Sequence, residues 1–148
     1  YPYPQNINLV GPTICAFGTE EQKQRFLPGI RKLALWFCQG FSEPGAGSDA
    51  AALSTAYVDD GDHWILNGSK VFISNASISN WMVVFATKDK TMRHQGISCF
   101  VIDTDTPGCK THKMCKDGVT VTLCTVGGGH TWPDAVKSWE TISKFSLP

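Results

Sequence analysis

The alternation of apolar and polar positions divides the chain into a helical lead, a run of short strands and a tail of different character. Thr19-Glu20-Glu21-Gln22 reads as a capping box that opens a helix through about Leu27, with its acidic residues at the positive end. Pro28 and Gly29 are expected to stop it. From Leu33 the period changes. Leu33 to Cys38 is a short, aromatic-rich apolar run suited to a buried strand, and the glycine-rich loop Glu43-Pro-Gly-Ala-Gly-Ser-Asp49 follows it.

Strands are then expected at Ser54 to Val58, His63 to Leu66, Ser69 to Ser74, Trp81 to Thr87 and Gly96 to Asp103. Asp59 to Asp62 supplies one turn, and Asn67-Gly68 has the signature of a type I′ hairpin. Lys88 to Gln95 is polar enough to be a solvated connection. Beyond Pro107-Gly108, Val119, Val121 and Leu123 alternate with Thr120, Thr122 and Cys124 in one further strand. A helix from about Asp134 to Phe145 would close the chain. The expected fold class is α+β: a mainly antiparallel sheet or barrel with a short N-terminal helix and a C-terminal strand-helix appendage. The divisions are a helical lead over 1–32, a β-domain over 33–113 and a tail over 114–148.

Composition narrows the function. Lys and Arg number 13, as do Asp and Glu, so no net field draws the chain to nucleic acid or an anionic membrane. Its apolar stretches, Leu33 to Cys38 and Met82 to Ala86, fall far short of the roughly 20 residues that span a bilayer. The first residues lack the basic and apolar regions of a secretory signal, which favours an intracellular location. Six cysteines show no CxxC spacing, and most read as buried free thiols. His63, His94 and His112 lack metal-ligand spacing, and Asp59-Asp60-Gly-Asp62 is too short for a calcium loop, so no metal site is expected.

The loop Gly45-Ala-Gly47-Ser-Asp-Ala50 formally matches a dinucleotide fingerprint. That fingerprint must open a helix after a strand, and here β-like residues follow instead. The loop nevertheless offers backbone N–H groups beside Ser48, a nest suited to a phosphate or a thioester head group. A plain glycine-rich turn is the alternative.

Gly11-Pro-Thr-Ile-Cys-Ala-Phe-Gly-Thr-Glu-Glu-Gln-Lys-Gln-Arg-Phe-Leu-Pro28 and Phe41-Ser-Glu-Pro-Gly-Ala-Gly-Ser-Asp49 resemble the acyl-CoA dehydrogenase family, whose signature is the second of these motifs. Asn67-Gly-Ser-Lys-Val-Phe-Ile-Ser74, Gly96-Ile-Ser-Cys-Phe-Val-Ile-Asp103 and Thr106-Pro-Gly108 extend the resemblance over residues 9–113. It covers the family's middle β-domain and the end of its N-terminal helical domain. Within it, Gly61 to Lys70 and Gly96 to Cys99 are most similar to short- and branched-chain members such as isobutyryl-CoA dehydrogenases.

The resemblance implies FAD as cofactor and an acyl-CoA thioester as substrate, in an α,β-dehydrogenation. It places Gln39, Gly40, Phe41 and Ser42, with Gly47 and Ser48, along the flavin and the thioester chain. Ser42 corresponds to the hydroxyl residue near the isoalloxazine, and Ser48 to a substrate contact. Phe72, Ile73 and Ser74 would pack on the flavin's other side, where the family carries Trp-Ile-Thr. Phe72 taken alone reads as an ordinary core aromatic, and only its place in the motif favours the flavin.

The family's catalytic base is a carboxylate from a C-terminal helical domain. That domain is expected to be missing, so the isolated chain is expected to be inactive. Glu43 does not match the base, and no catalytic residue is assigned. An unfinished sheet would leave edges that favour a homo-oligomer.

The tail, Cys115 to Pro133 with Ile142 to Pro148, resembles the C-terminal part of polyhydroxybutyrate depolymerase and feruloyl esterase α/β-hydrolases. There the histidine of Gly-Gly-His-Thr-Trp-Pro is the triad base, a position held by His130. The chain has no GxSxG elbow to supply the nucleophile. Two unrelated resemblances leave a chimera, an ester hydrolase relative and a noncatalytic β-domain as the competing expectations.

Overall fold

The computed structural model describes residues 5–110 in full and the backbone of 111–114 and 121–126. Its N-terminal part is a π-helical turn at Gln5–Val10 followed by helices α1 (Gly11–Phe17) and α2 (Glu20–Arg31). The capping box at α2 is present: Thr19 Oγ1 accepts from the Gln22 N–H at 3.2 Å, and Gln22 Oε1 accepts from the Thr19 N–H at 2.9 Å.

α2 runs past the expected end at Leu27, through Pro28 and Gly29. Proline removes a donor, but near the last turn that loss is local. Phe26 and Ile30, one turn apart, are both buried and hold this segment helical. Gly29 meets Leu35 so closely that an added Cβ would lie 2.5 Å from the Leu35 side chain. Leu33 then adopts a positive φ of 56°, and the Ala34 and Leu35 N–H groups return to the Gly29 carbonyl. The strand expected from Leu33 therefore starts later, as β1 (Phe37–Gly40), because its first residues close the helix instead.

The remaining strands are β2 (Ala56–Asp59), β3 (Trp64–Lys70), β4 (Trp81–Thr87), β5 (Ile97–Asp103), β6 (Cys109–Met114) and β7 (Val121–Val126). They form a sheet in the order β1-β4-β2-β3-β7-β6, with β5 on the other side of β4. The sheet is mixed rather than antiparallel throughout. β4 runs parallel to β1, with Phe37 opposite Trp81 and Gly40 opposite Val84, and parallel to β2 at Ala56 and Thr87. Alternation along a strand reports which face is buried and carries no information on the direction of a distant partner.

Asn67-Gly68 is not a turn. β3 runs straight through it, and Asp60–Asp62, with Gly61 at φ 80°, makes the reversal between β2 and β3. Gly68 is needed for close approach: an added Cβ would lie 2.3–2.7 Å from Thr55. β3 also ends at Lys70, so the expected strand through Ser74 is replaced by a bend with Phe72 at φ 57°. The polar connection at Lys88 to Gln95 folds into 3-10 turns at Lys90–Gly96, opened by the Asp89 carboxylate accepting from the Thr91 N–H.

The sheet buries both faces. On one, Phe37 joins Val10 and Ile14 with Phe26 and Ile30, while Trp81, Val83 and Val101 pack alongside. On the other, Cys38, Met82, Val84, Ala86, Phe100 and Ile102 form a core with Leu66, Ile73 and Ala76. Asn6, fully enclosed, ties the lead to the sheet by donating to the Leu35 carbonyl and accepting from the Phe37 N–H at 2.9 Å.

β7 pairs antiparallel with β6 and with the Gly68–Lys70 end of β3. It corresponds to the alternating strand expected around Val119 to Cys124. The expected terminal helix and His130 lie outside the described residues. No helix among the described residues is long and apolar enough to cross a membrane.

Candidate functional site

The resemblance singled out two segments, Gln39 to Ser48 and Phe72 to Ser74, and the structure brings their inner ends together. The Val71 N–H donates to the Ser42 carbonyl at 2.9 Å. Ser42 is thereby bonded to the residue that precedes Phe72, although β1 and β3 are not neighbours in the sheet.

Beneath this junction lies an ion pair. Lys70 Nζ is 2.7 Å from Glu43 Oε1, with side chains 1% and 4% exposed. Glu43 also accepts from the backbone N–H groups of Ser54 and Thr55, the latter at 2.9 Å. Lys70 donates further to the Phe41 carbonyl at 3.3 Å. Burial pushes the Glu43 carboxyl up, but the hydrogen bonds from Lys70, Thr55 and Ser54 outweigh it and leave the group below its usual 4.5. Burial lowers the Lys70 ammonium from 10.5, and Glu43 offsets part of that effect. Both residues stand inside the family-like motifs, but nothing along a chain couples charges so far apart.

The glycine loop closes on itself, with the Glu43 N–H donating to the Ala46 carbonyl at 2.8 Å and the Ala46 N–H returning to the Glu43 carbonyl at 3.1 Å. Ala46 is buried, and Gly47 and Ser48 project beyond it as exposed residues. No atom lies within 4 Å of where a Cβ would stand at Gly45 or Gly47, so a ligand can approach this backbone directly. At the end of β1, Gln39, Phe41 and Ser42 are half-buried and Gly40 is buried. Phe41 stacks on Phe85 of β4, with ring centroids 4.1 Å apart and planes 3° from parallel. Phe85 carried no functional expectation from the sequence, since register alone brings it there.

Phe72 is not a core aromatic. Its side of the bend leaves it 75% exposed, between half-buried Val71 and buried Ile73, and Ser74 is exposed beside it. A large ring held outward at a backbone conformation unfavourable to L residues calls for a partner surface. These features suit a flat, amphipathic ring system: an open aromatic to stack on, nearby hydroxyls on Ser42 and Ser74, and a loop with free approach to its backbone.

Cys38 and Cys99 are buried free thiols, and Cys15 is an exposed one. Burial pushes the Cys38 thiol up to about 12 and that of Cys99 higher still, so neither is a nucleophile at neutral pH. Among the described residues, no three His, Cys, Asp or Glu side chains gather as metal ligands would.

Fold and site together define a mixed-sheet β-domain with an open glycine loop and an exposed aromatic. Residues 38–125 match the family model described as "Acyl-CoA dehydrogenase, middle domain". The chain belongs to the acyl-CoA dehydrogenase family. It is 50% identical over 101 residues to acyl-CoA dehydrogenase IpdE1 of Mycobacterium tuberculosis, a match covering 68% of this chain and 26% of that protein. Among solved structures, the acyl-CoA dehydrogenase of Geobacillus kaustophilus superposes with a TM-score of 0.79 at 36% identity, over 87% of this chain and 36% of that one. A glutaryl-CoA dehydrogenase from Mycobacterium smegmatis in complex with FADH2 superposes with a TM-score of 0.76 at 29% identity, over 88% and 33%. The chain thus spans about a quarter of the length of that curated relative.

Proposed function

We propose that this chain supplies the middle-domain wall of an FAD-dependent acyl-CoA dehydrogenase, on which an isoalloxazine ring and an acyl-CoA thioester are held. The observation that carries this reading is the Val71–Ser42 hydrogen bond, which ties the backbone just before the exposed Phe72 to the segment that follows β1. Support comes from the family match and from relatives whose own names are acyl-CoA dehydrogenases.

FAD, when bound, supplies the hydride acceptor for the α,β-dehydrogenation. The chain's residues bind and orient. Phe72 offers a stacking face, with Ile73 anchoring it from the core, and Ser42 and Ser74 offer hydroxyls to the ring's polar edge. Gln39, Gly40 and Phe41 carry the surface along β1, where Phe41 is braced by its stack on Phe85. Gly47 and Ser48 offer backbone N–H groups and a hydroxyl to the substrate's thioester end. No proton transfer is assigned to Glu43, whose carboxylate is occupied by Lys70, Ser54 and Thr55.

Titration of FAD with the purified chain, followed by flavin fluorescence, tests this. Saturable quenching that weakens in Phe72→Ala is expected. Unchanged flavin emission at about 1 mM protein, a concentration at which even about 4 kcal/mol of binding free energy half-saturates the flavin, would overturn it.

A further inference from the structure

β1 and β3 are separated in the sheet by β4 and β2, so no strand ladder sets the end of one against the end of the other. What joins them is a short lattice beyond the strands. Phe41, Ser42 and Glu43 each receive a bond from Lys70 or Val71: Lys70 Nζ to the Phe41 carbonyl, the Val71 N–H to the Ser42 carbonyl, and Lys70 Nζ to the Glu43 carboxylate. Glu43 continues the lattice into the approach to β2 through Ser54 and Thr55.

A buried ion pair is a weak source of net stability compared with apolar residues of similar volume, and its best-attested use is to specify register. Here the pair sits between the ends of two strands that share no ladder. Its two members directly flank the hydrogen-bonded Ser42 and Val71, with Phe72 next in the chain.

We infer that Glu43 and Lys70 are positioning residues for the ligand-facing surface, their buried pair fixing Ser42 and Phe72 side by side across two strands that do not pair. The inference rests on the flavin reading above for its functional consequence. It adds a role for two charged residues whose side chains are enclosed away from the surface.

Amide exchange measured by NMR on the full chain, combined with FAD titration, tests it. In Glu43→Gln and in Lys70→Met, exchange at Val71, Ser54 and Thr55 should accelerate on the order of tenfold or more, while Val84 and Phe100 within β4 and β5 stay protected. FAD affinity should fall by a similar factor. Should the single variants fail to fold, the double variant Glu43→Leu/Lys70→Met removes both charges and leaves no stranded ion. It should keep the β4 and β5 protection and still lose that of Val71. Unchanged Val71 exchange in a folded variant would overturn the positioning role, as would accelerated exchange with wild-type FAD affinity. A wild-type chain with normal Val71 protection and no flavin binding would instead overturn the flavin reading.

Discussion

Glu43 Oε1 and Lys70 Nζ meet at 2.7 Å in a part of the molecule with almost no solvent, and each also holds backbone from another segment. Removing one partner leaves the other charge enclosed and unpaired. Lys70→Met should therefore cost about 3–5 kcal/mol of unfolding free energy, measured by urea denaturation, with Glu43→Gln similarly severe. By contrast, Lys23→Ala, which removes a surface pair with Glu20, should change stability by less than about 1 kcal/mol.

The same pair gives stability an acid limb. The folded Glu43 pKa lies below its ordinary 4.5, so the unfolded chain binds the proton more readily. The contribution is fully present above about pH 4.5 and is lost as pH falls through the folded value. Urea midpoints measured from pH 6 downward should fall over that window. In Glu43→Gln the fall should be shallower.

Gly68 should be intolerant of a side chain. An added Cβ would lie 2.6 Å from the Thr55 Cα, and backbone cannot swing aside as a flexible side-chain tip can. Gly68→Ala should destabilise by about 1–3 kcal/mol in denaturant titration, as overpacking does. A hairpin-turn role would instead predict tolerance of Asn or Asp at this position.

Phe72 should separate binding from stability. Its ring is 75% exposed and its φ is 57°, so Phe72→Gly removes little packing and relieves an unfavourable backbone conformation. Unfolding free energy should stay within about 1 kcal/mol of wild type. FAD binding should weaken nonetheless, because the stacking face is gone.

Thiol labelling should follow burial. Cys15 is exposed and should react with a maleimide at neutral pH under native conditions. Cys38 and Cys99, enclosed and raised by burial, should label only when urea opens the core. Peptide mapping by mass spectrometry of labelled samples distinguishes them.

The sequence by itself determined the local elements and the family. The Thr19 to Gln22 cap and the strands at Trp81–Thr87 and Ile97–Asp103 follow from signals that each segment carries alone: side-chain reach at a helix end and alternation along a strand. The motif from Phe41 to Asp49 likewise carries its identity in order and spacing.

Tertiary structure decided the rest, because direction, register and pairing depend on partners far away in the chain. β1 lies parallel to β4, and Asn67-Gly68 is extended because Thr55 packs against it. α2 continues over Pro28 because Phe26 and Ile30 are buried. The candidate site shows the same division. Its residue types were legible along the chain, but the outward Phe72, the Phe41–Phe85 stack and the Glu43–Lys70 pair required the sheet to bring strangers together. Burial then supplied the low-dielectric surroundings in which a single ion pair can decide where two segments stand.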